Sequence, residues 1–553
     1  DPKGNLWTGT YNSGVAKFDG NQFETIKDES LDDKIILEIN EDLHGNLWFR
    51  SARSGIFKFS GDELRNFTEK NNLIENYSDR TKGLLRVDRE GNLWIGTLSG
   101  VSKYGKAIFE HYTDEHGLAG TNILAVSART EEDVWVSSYE ALMHYDGDSF
   151  KLHRNLEDIY CIYSESENRA LFGSKQSIYT HDGNSFKRFR DTSVFSAVDD
   201  YIHDIHPGEN GTYWLATDKG LVTFKDGVFR QKALDSLEAR SVAICDHTVW
   251  VATTNGVYHY HPEKGVMKEI HEEDGLPHPT CVDITHDDKN CGVWVGTDNG
   301  LAYIQPSDYQ VKVYSTQNGM HSNSIYLVQK DQKGHLWAGH EKGIEKIDPE
   351  NEVINHYGPK EGFYPLETNE GAISMDDEGN LWIGSVDGLV KYVPDNDRSN
   401  NLEPRTYIRN LRLFDKQTDF TTYTDSLDPE SKLPVNLALP YNKNYLTFEF
   451  VGLHYTNPDK VQYKFILEGF DNDWSEPTGE RSATYKKIPN GDYTFKVKAR
   501  NNDGVWNQQP VSFSFTIRPP FWKTWWFYTL IFLVLVFLIV QFIKARERKL
   551  IRD

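Results

Sequence analysis

Short apolar runs, separated by polar turns rich in Gly, Asn and Asp, fill the chain from its start to about residue 398. One unit shows the grammar. The turn Asp88-Arg-Glu-Gly-Asn92 leads into Leu93-Trp94-Ile95, which leaves through Gly96-Thr97. A second turn at Ser99-Gly100 opens Val101-Ser-Lys-Tyr104, and a third run ends in Phe109-Glu-His-Tyr112. The turn Glu115-His-Gly-Leu118 then starts the next unit at Ile123-Leu-Ala-Val126. Runs of this length, without helical periodicity between them, predict strands. Gly reaches the positive φ that tight turns need, and Asp or Asn bonds its own nearby backbone.

The unit repeats. Its Trp recurs as Trp7, Trp48, Trp94, Trp135, Trp214, Trp250, Trp294, Trp337 and Trp382, with Phe172 in the slot of one further copy. Ten copies at intervals of 36 to 46 residues indicate a solenoid or a propeller. A lone four-stranded sheet cannot bury both faces, whereas radial stacking can, with Trp filling the space between blades. A β-propeller is therefore expected. Ten copies exceed the roughly four to eight blades of ordinary rings. The simplest partition makes residues 118–398 a seven-bladed propeller and leaves residues 1–117, three repeats, as the remnant of an upstream one. An eight-bladed ring with two spare units stays open. The chain starts with Asp, inside the motif Asp1-Pro-Lys-Gly-Asn-Leu-Trp7, so truncation at the front is expected.

Beyond a linker with Pro394, Asp395, Asn396 and Asp397 the pattern changes to alternating strands. Thr406–Leu413, Tyr445–Phe450, Val461–Leu467, Ala483–Lys486, Asp492–Lys498 and Val511–Ile517 predict a small β-sandwich over residues 399–519. The Asn490-Gly491 pair marks a hairpin. Residues 524–543 then form an uncharged apolar stretch long enough to cross a bilayer. Trp522, Trp525 and Trp526 sit at one end as an aromatic belt; Lys544, Arg546, Arg548, Lys549 and Arg552 crowd the other. Positive-inside bias puts residues 544–553 in the cytoplasm and the β domains outside. The stub after the span is so short that truncation at the back is expected as well.

Composition narrows the classes. A net charge of −23 argues against nucleic acid, which needs a basic footprint. Four cysteines imply no disulfide framework, although Cys281 and Cys291 flank one strand and turn and could pair in an oxidising compartment. Cys161 and Cys245 look like ordinary strand-core residues.

The unit Asp-x-x-Gly-Asn-Leu-Trp-Ile-Gly-Thr, followed by Gly-Leu/Val-x-x-Tyr, resembles the two-component regulator propeller repeat. An ordered set after residue 450 is similar to the triple-tyrosine (Y_Y_Y) domain: Tyr455, Tyr463, Leu467-Glu-Gly-Phe-Asp471, Trp474, Tyr485, Pro489-Asn-Gly-Asp-Tyr493, Ala499-Arg-Asn-Asn-Asp-Gly504, Trp506 and Pro519-Pro-Phe-Trp522. With the apolar stretch, the resemblance covers essentially the whole chain. It implies the extracytoplasmic half of a one-span sensor histidine kinase, often a hybrid with receiver and DNA-binding output, in the inner membrane of a Gram-negative bacterium. A homodimer and an oligosaccharide ligand are implied partners. No phosphoacceptor His segment, ATP-binding module or receiver Asp is present, so kinase activity would belong to residues beyond 553.

Nothing singles out a catalytic residue, a ligand-binding residue or a cofactor. His203-x-x-His206 and the pairs His259/His261 and His271/His278 could suggest metal, but they lack a metalloprotease Glu or a helix, and strand and turn roles are expected instead. No Gly-x-Ser-x-Gly elbow occurs, and spacing picks no acid/base pair from the 83 carboxylates. Two residues depart from the repeat: Arg50 stands where other copies carry a small residue, and His340 replaces the usual Thr. A membrane-anchored glycan-active enzyme and a passive adhesion or scaffold propeller are the alternatives to a receptor.

Overall fold

The computed structural model describes the chain except residues 2–3, 12, 27, 29, 44, 62, 69–72, 76–83, 106, 196–199, 398–399 and 551–553. The expected cationic residue Arg552 lies outside the described residues. Two compact units result: Ala107–Arg398, and Asp1–Lys106 together with Ser399–Asp553.

Among the described residues, the first unit holds seven four-stranded antiparallel sheets. Six are built from consecutive strands, beginning with Ile123–Thr130, Asp133–Ser138, Leu142–Tyr145 and Phe150–His153. The seventh is not. Thr368–Met375, Leu381–Ser385 and Gly388–Tyr392 take their outer partner from Phe109–Tyr112, in the register Phe109↔Tyr392 and Tyr112↔Leu389. The ring therefore includes residues 107–117, which the repeat grammar assigns to the unit before. That grammar follows chain order, whereas closure leaves the last blade short of an edge strand, and only the start of the ring can supply it. Asn369 Nδ2 donates to the Ile123 carbonyl at 2.6 Å and Ala128 N–H to Ser374 Oγ at 2.9 Å, joining first and last blades.

Two features of the repeat now have physical causes. In five copies the turn Asp collects donors around the Trp. Asp376 accepts from the N–H and side chain of Asn380, both at 2.9 Å, and from Trp382 Nε1 at 3.0 Å. Asp1, Asp42, Asp88 and Asp331 hold Trp7, Trp48, Trp94 and Trp337 in the same way. The Gly after Trp-x is a close-approach position. A Cβ on Gly384 would lie 2.8 Å from Ala372 Cβ and 2.9 Å from Ile123 Cγ2, in the next inner strand.

Trp250 lacks the Asp clamp. There Cys245, at the end of its inner strand, forms a disulfide with Cys291 of the following blade. The pairing that the sequence left open, Cys281 with Cys291, is not formed. Cys281 is buried inside its strand with a free thiol, as is Cys161. Sequence proximity misleads here because neighbouring blades bring equivalent turns side by side.

In the second unit, three small sheets carry Trp7, Trp48 and Trp94. The sandwich pairs Arg405–Leu413, Leu446–Leu453 and Ser482–Tyr485 against Gln462–Glu468, Gly491–Arg500 and Val511–Ile517. Its core stacks Phe448 on Phe495, with ring centroids 4.1 Å apart. The tyrosines bury their rings here and fasten their hydroxyls. Tyr463 accepts from Gly452 N–H (3.0 Å), Tyr485 donates to Asp471 (2.7 Å) and Tyr493 donates to the Pro489 carbonyl (3.0 Å). The helix Trp525–Leu550 follows.

Candidate functional site: the funnel of the ring

Five blades start their inner strand with a bulge, at Ile123/Ala125, Ile159/Cys161, Ile202/Asp204, Ala239/Ser241 and Cys281/Asp283. The extra residue in a bulge re-aims a side chain, and all five second members line a cavity of about 1240 Å³ within the ring. This exceeds the roughly 300–1,000 Å³ of a typical small-molecule pocket. The loops after the second strand of each blade add Tyr139, Lys175 and Asp218 to its wall.

Polar groups on the wall hold one another. His203 Nε2 lies 2.7 Å from Asp218 Oδ1, and Arg240 Nε lies 2.7 Å from Glu238. Asp218 also accepts from Tyr201 N–H at 2.7 Å. Burial opposes its charge, but His203, that N–H and Arg240 hold its carboxyl below the ordinary range. Tyr201 packs edge-on to Tyr160, with Lys175 Nζ 4.8 Å from its ring centroid. Tyr139 remains 59% exposed, a free aromatic face at the wall.

Deeper down, Ser241 Oγ lies 3.0 Å from Asp204 Oδ2 and 2.9 Å from Asp283 Oδ1. One hydroxyl proton serves only one of these contacts, so the other requires a protonated carboxyl. Burial, with the Asp204 charge nearby, pushes Asp283 up to about 7. Burial raises Asp204 as well. Both carboxylates also accept backbone N–H groups of the next blade, from Val242 (2.9 Å) and Val328 (2.8 Å). They seam the ring together under the funnel.

The residues singled out in the sequence have other places. Arg50 is fully buried, its Nε 3.3 Å from Glu38, which also accepts the N–H groups of Leu84 and Leu85. His206 donates to the Pro207 carbonyl, and burial lowers its pKa. His259 stacks on Trp250 at 3.9 Å and burial pulls it down to about 4. His261, His271 and His278 bond within their own turns or to nearby acids. Of these histidines, His203 alone lines the funnel. His340 sits in a cluster with His321, Glu345 and His356, described below. No linear spacing marks that cluster or the funnel wall, because each draws on separate strands and loops.

Comparison with known proteins agrees with this architecture. The Y_Y_Y domain model matches residues 454–518, which include the tied tyrosines of the sandwich. Histidine kinase P4 of Formosa agariphila is 30% identical over 115 residues, which are 20% of this chain and 8% of that protein. This chain thus aligns with less than a tenth of that relative. The crystal structure assigned to the extracellular domain of the hybrid two-component system BT3049 of B. thetaiotaomicron superimposes with a TM-score of 0.75. That match is 21% identical and covers 94% of this chain and 72% of the other. Its likeness is one of fold. The chain thus combines a propeller fold with a Y_Y_Y domain, the fold also seen in that extracellular domain, and shares one stretch with a protein named as a histidine kinase. Its one α-helix among the described residues is long and apolar enough to cross a membrane, and none of its apolar window is buried.

Proposed function

We propose that this chain is the extracytoplasmic sensor region and membrane span of a two-component histidine kinase, and that the ring funnel takes a neutral oligosaccharide. The observation that carries the ligand reading is the wall itself. Tyr139 offers an open aromatic face for a sugar ring, and Glu238, Asp158 and Glu370 offer acceptors for hydroxyls. Acids outnumber Lys175 and Arg240 there, which disfavours sulfated or uronic chains by like-charge repulsion.

The route to the membrane is short. Arg518 N–H donates to the Leu439 carbonyl at 2.8 Å, and Trp522 packs edge-on to Tyr441, so the Pro519-Pro520 link is pinned at both ends. A ligand favouring one arrangement of two protomers would act through this link. It must bind the two arrangements unequally to shift them. The helix has tryptophans at its start and Lys544, Arg546 and Arg548 near its end, which supports a cytoplasmic C-terminus in the inner membrane.

The glycan-active enzyme has Asp283 in its favour, a carboxyl near 7 in a funnel. That carboxyl is occupied, however. Oδ1 meets Ser241 and Ile284 N–H, and Oδ2 accepts Val328 N–H. Calorimetric titration of the detergent-solubilised chain with oligosaccharides tests the binding reading. Neutral fragments should bind, and Tyr139→Ala should weaken them at least tenfold. Tighter binding of sulfated fragments, or indifference to Tyr139→Ala, would count against it.

A further inference from the structure

We propose that His321, Glu345 and His356 form a binding site for a divalent transition-metal ion of the Zn²⁺ class, with His340 positioning the glutamate. The site lies on one blade. His321 comes from the loop before Leu327–Lys330, His340 ends Leu336–His340, Glu345 belongs to Gly343–Asp348 and His356 to Val353–Tyr357.

The side chain of Glu345 is fully buried. One of its oxygens is crowded and the other is idle. Oε1 has His321 N–H at 2.8 Å, His321 Nδ1 at 3.0 Å, His340 Nε2 at 3.3 Å and His356 Nδ1 at 3.4 Å. Oε2 is buried with no hydrogen-bond partner among the described residues. A buried carboxylate oxygen left unpaired carries its full desolvation penalty. Four nitrogens converging on one oxygen exceed its lone pairs. An imidazole nitrogen that lacks its proton there turns a lone pair to the carboxylate, a repulsion that a cation between them would relieve.

The distances suit a metal ion. The ligand atoms of His321, Glu345 and His356 all lie within 4.8 Å of one another. Tetrahedral coordination with bonds of about 2.0–2.1 Å sets ligand atoms roughly 3.3 Å apart. The contacts of 3.0 and 3.4 Å to Glu345 bracket that spacing. Two imidazoles and one carboxylate leave a fourth position open. The half-exposed side chain of His321 gives solvent access to it.

His340 has a different part. Its Nδ1 accepts Lys342 N–H at 3.0 Å, so in the neutral ring Nε2 carries the proton and donates to Glu345. A proton donor behind a ligating carboxylate orients it. This gives a reason for His in a position where other repeats carry Thr. Lys342 is engaged elsewhere: its Nζ bonds the His321 carbonyl and lies 3.3 Å from Glu341. By contrast, His203 with Asp218 and Glu238 has Arg240 already on Glu238, which leaves less anionic charge for a cation.

The test uses the solubilised, chelator-stripped chain in equilibrium dialysis against Zn²⁺, with Co²⁺ as an optical probe. One zinc per chain and the visible bands of low-symmetry Co²⁺ are expected. His321→Ala and His356→Ala should abolish both. His340→Thr should weaken binding about 10–100-fold, and His203→Ala should change nothing. His321 lies at the surface, so His321→Ala decides the matter even if a core variant fails to fold. Absence of stoichiometric zinc in the unaltered chain would overturn the proposal. So would zinc retained in folded His321→Ala, or zinc lost in His203→Ala.

Discussion

Glu90 Oε2 lies 3.2 Å from His454 Nδ1, with both side chains shut off from solvent. Glu90 belongs to the turn of the third repeat and His454 opens the matched Y_Y_Y segment. The same carboxylate accepts the N–H groups of Tyr455 and Thr456 at 3.0 and 2.8 Å and the Thr456 hydroxyl at 2.7 Å. Trp94 packs edge-on to Tyr455 beside it. One turn of the repeat array is thus the socket for the sandwich.

This socket has a pH signature. Burial disfavours the Glu90 charge, but His454, Thr456 and the two N–H groups together hold its carboxyl down to about 2. A depressed folded-state pKa gives stability that is present above the unfolded value and is lost as pH falls through the folded one. Glu90→Gln should therefore lower the melting temperature at pH 7. The gap to the unaltered chain should close between about pH 4.5 and 2. A gap independent of pH would show that shape, not charge, makes the contact.

The Asp clamp should carry much of a blade's stability. Asp376→Ala leaves buried donors on Asn380 and Trp382 unpaired, and each costs about 1–3 kcal/mol. A loss of roughly 2–4 kcal/mol in denaturant unfolding is expected, against under about 0.5 kcal/mol for an exposed turn aspartate outside the repeat clamps. Equal losses would deny the clamp its role.

Cys245 and Cys291 predict a chemical pattern. Alkylation of the denatured, unreduced chain should label Cys161 and Cys281 alone, and peptide mapping should find the 245–291 link. Removing it should cost about 2–4 kcal/mol. Label on Cys245 without reductant would contradict the pairing.

The link at Pro519-Pro520 should transmit rather than absorb motion, since proline restricts the backbone on both sides. In a chain carrying a kinase module, replacing both with Gly-Ser should abolish the ligand's effect on phosphorylation. Ligand affinity should stay within about twofold. An intact response would mean that coupling runs elsewhere.

Much of this fold is readable from the residues, because the repeat states its own chemistry. Asp, Asn and Trp at fixed spacing build a clamp inside one turn, and the alternation after residue 405 gives the sandwich. What escapes depends on closure. Phe109–Tyr112 looks like the end of its own repeat until the ring needs an edge strand, and Cys245 meets Cys291 only when blades stand side by side. The funnel wall and the Glu345 cluster are assembled from separate strands and loops. Of that cluster only His340 leaves a trace in the sequence, as a departure from Thr.

The proposed topology places the β domains outside on a single span. Protease added to intact spheroplasts expressing the chain with a C-terminal tag tests it directly. Residues 1–518 should be digested while a tagged, membrane-held fragment of the helix survives. A chain that stays intact until the cells are lysed, or a tag removed by protease from outside, would contradict it.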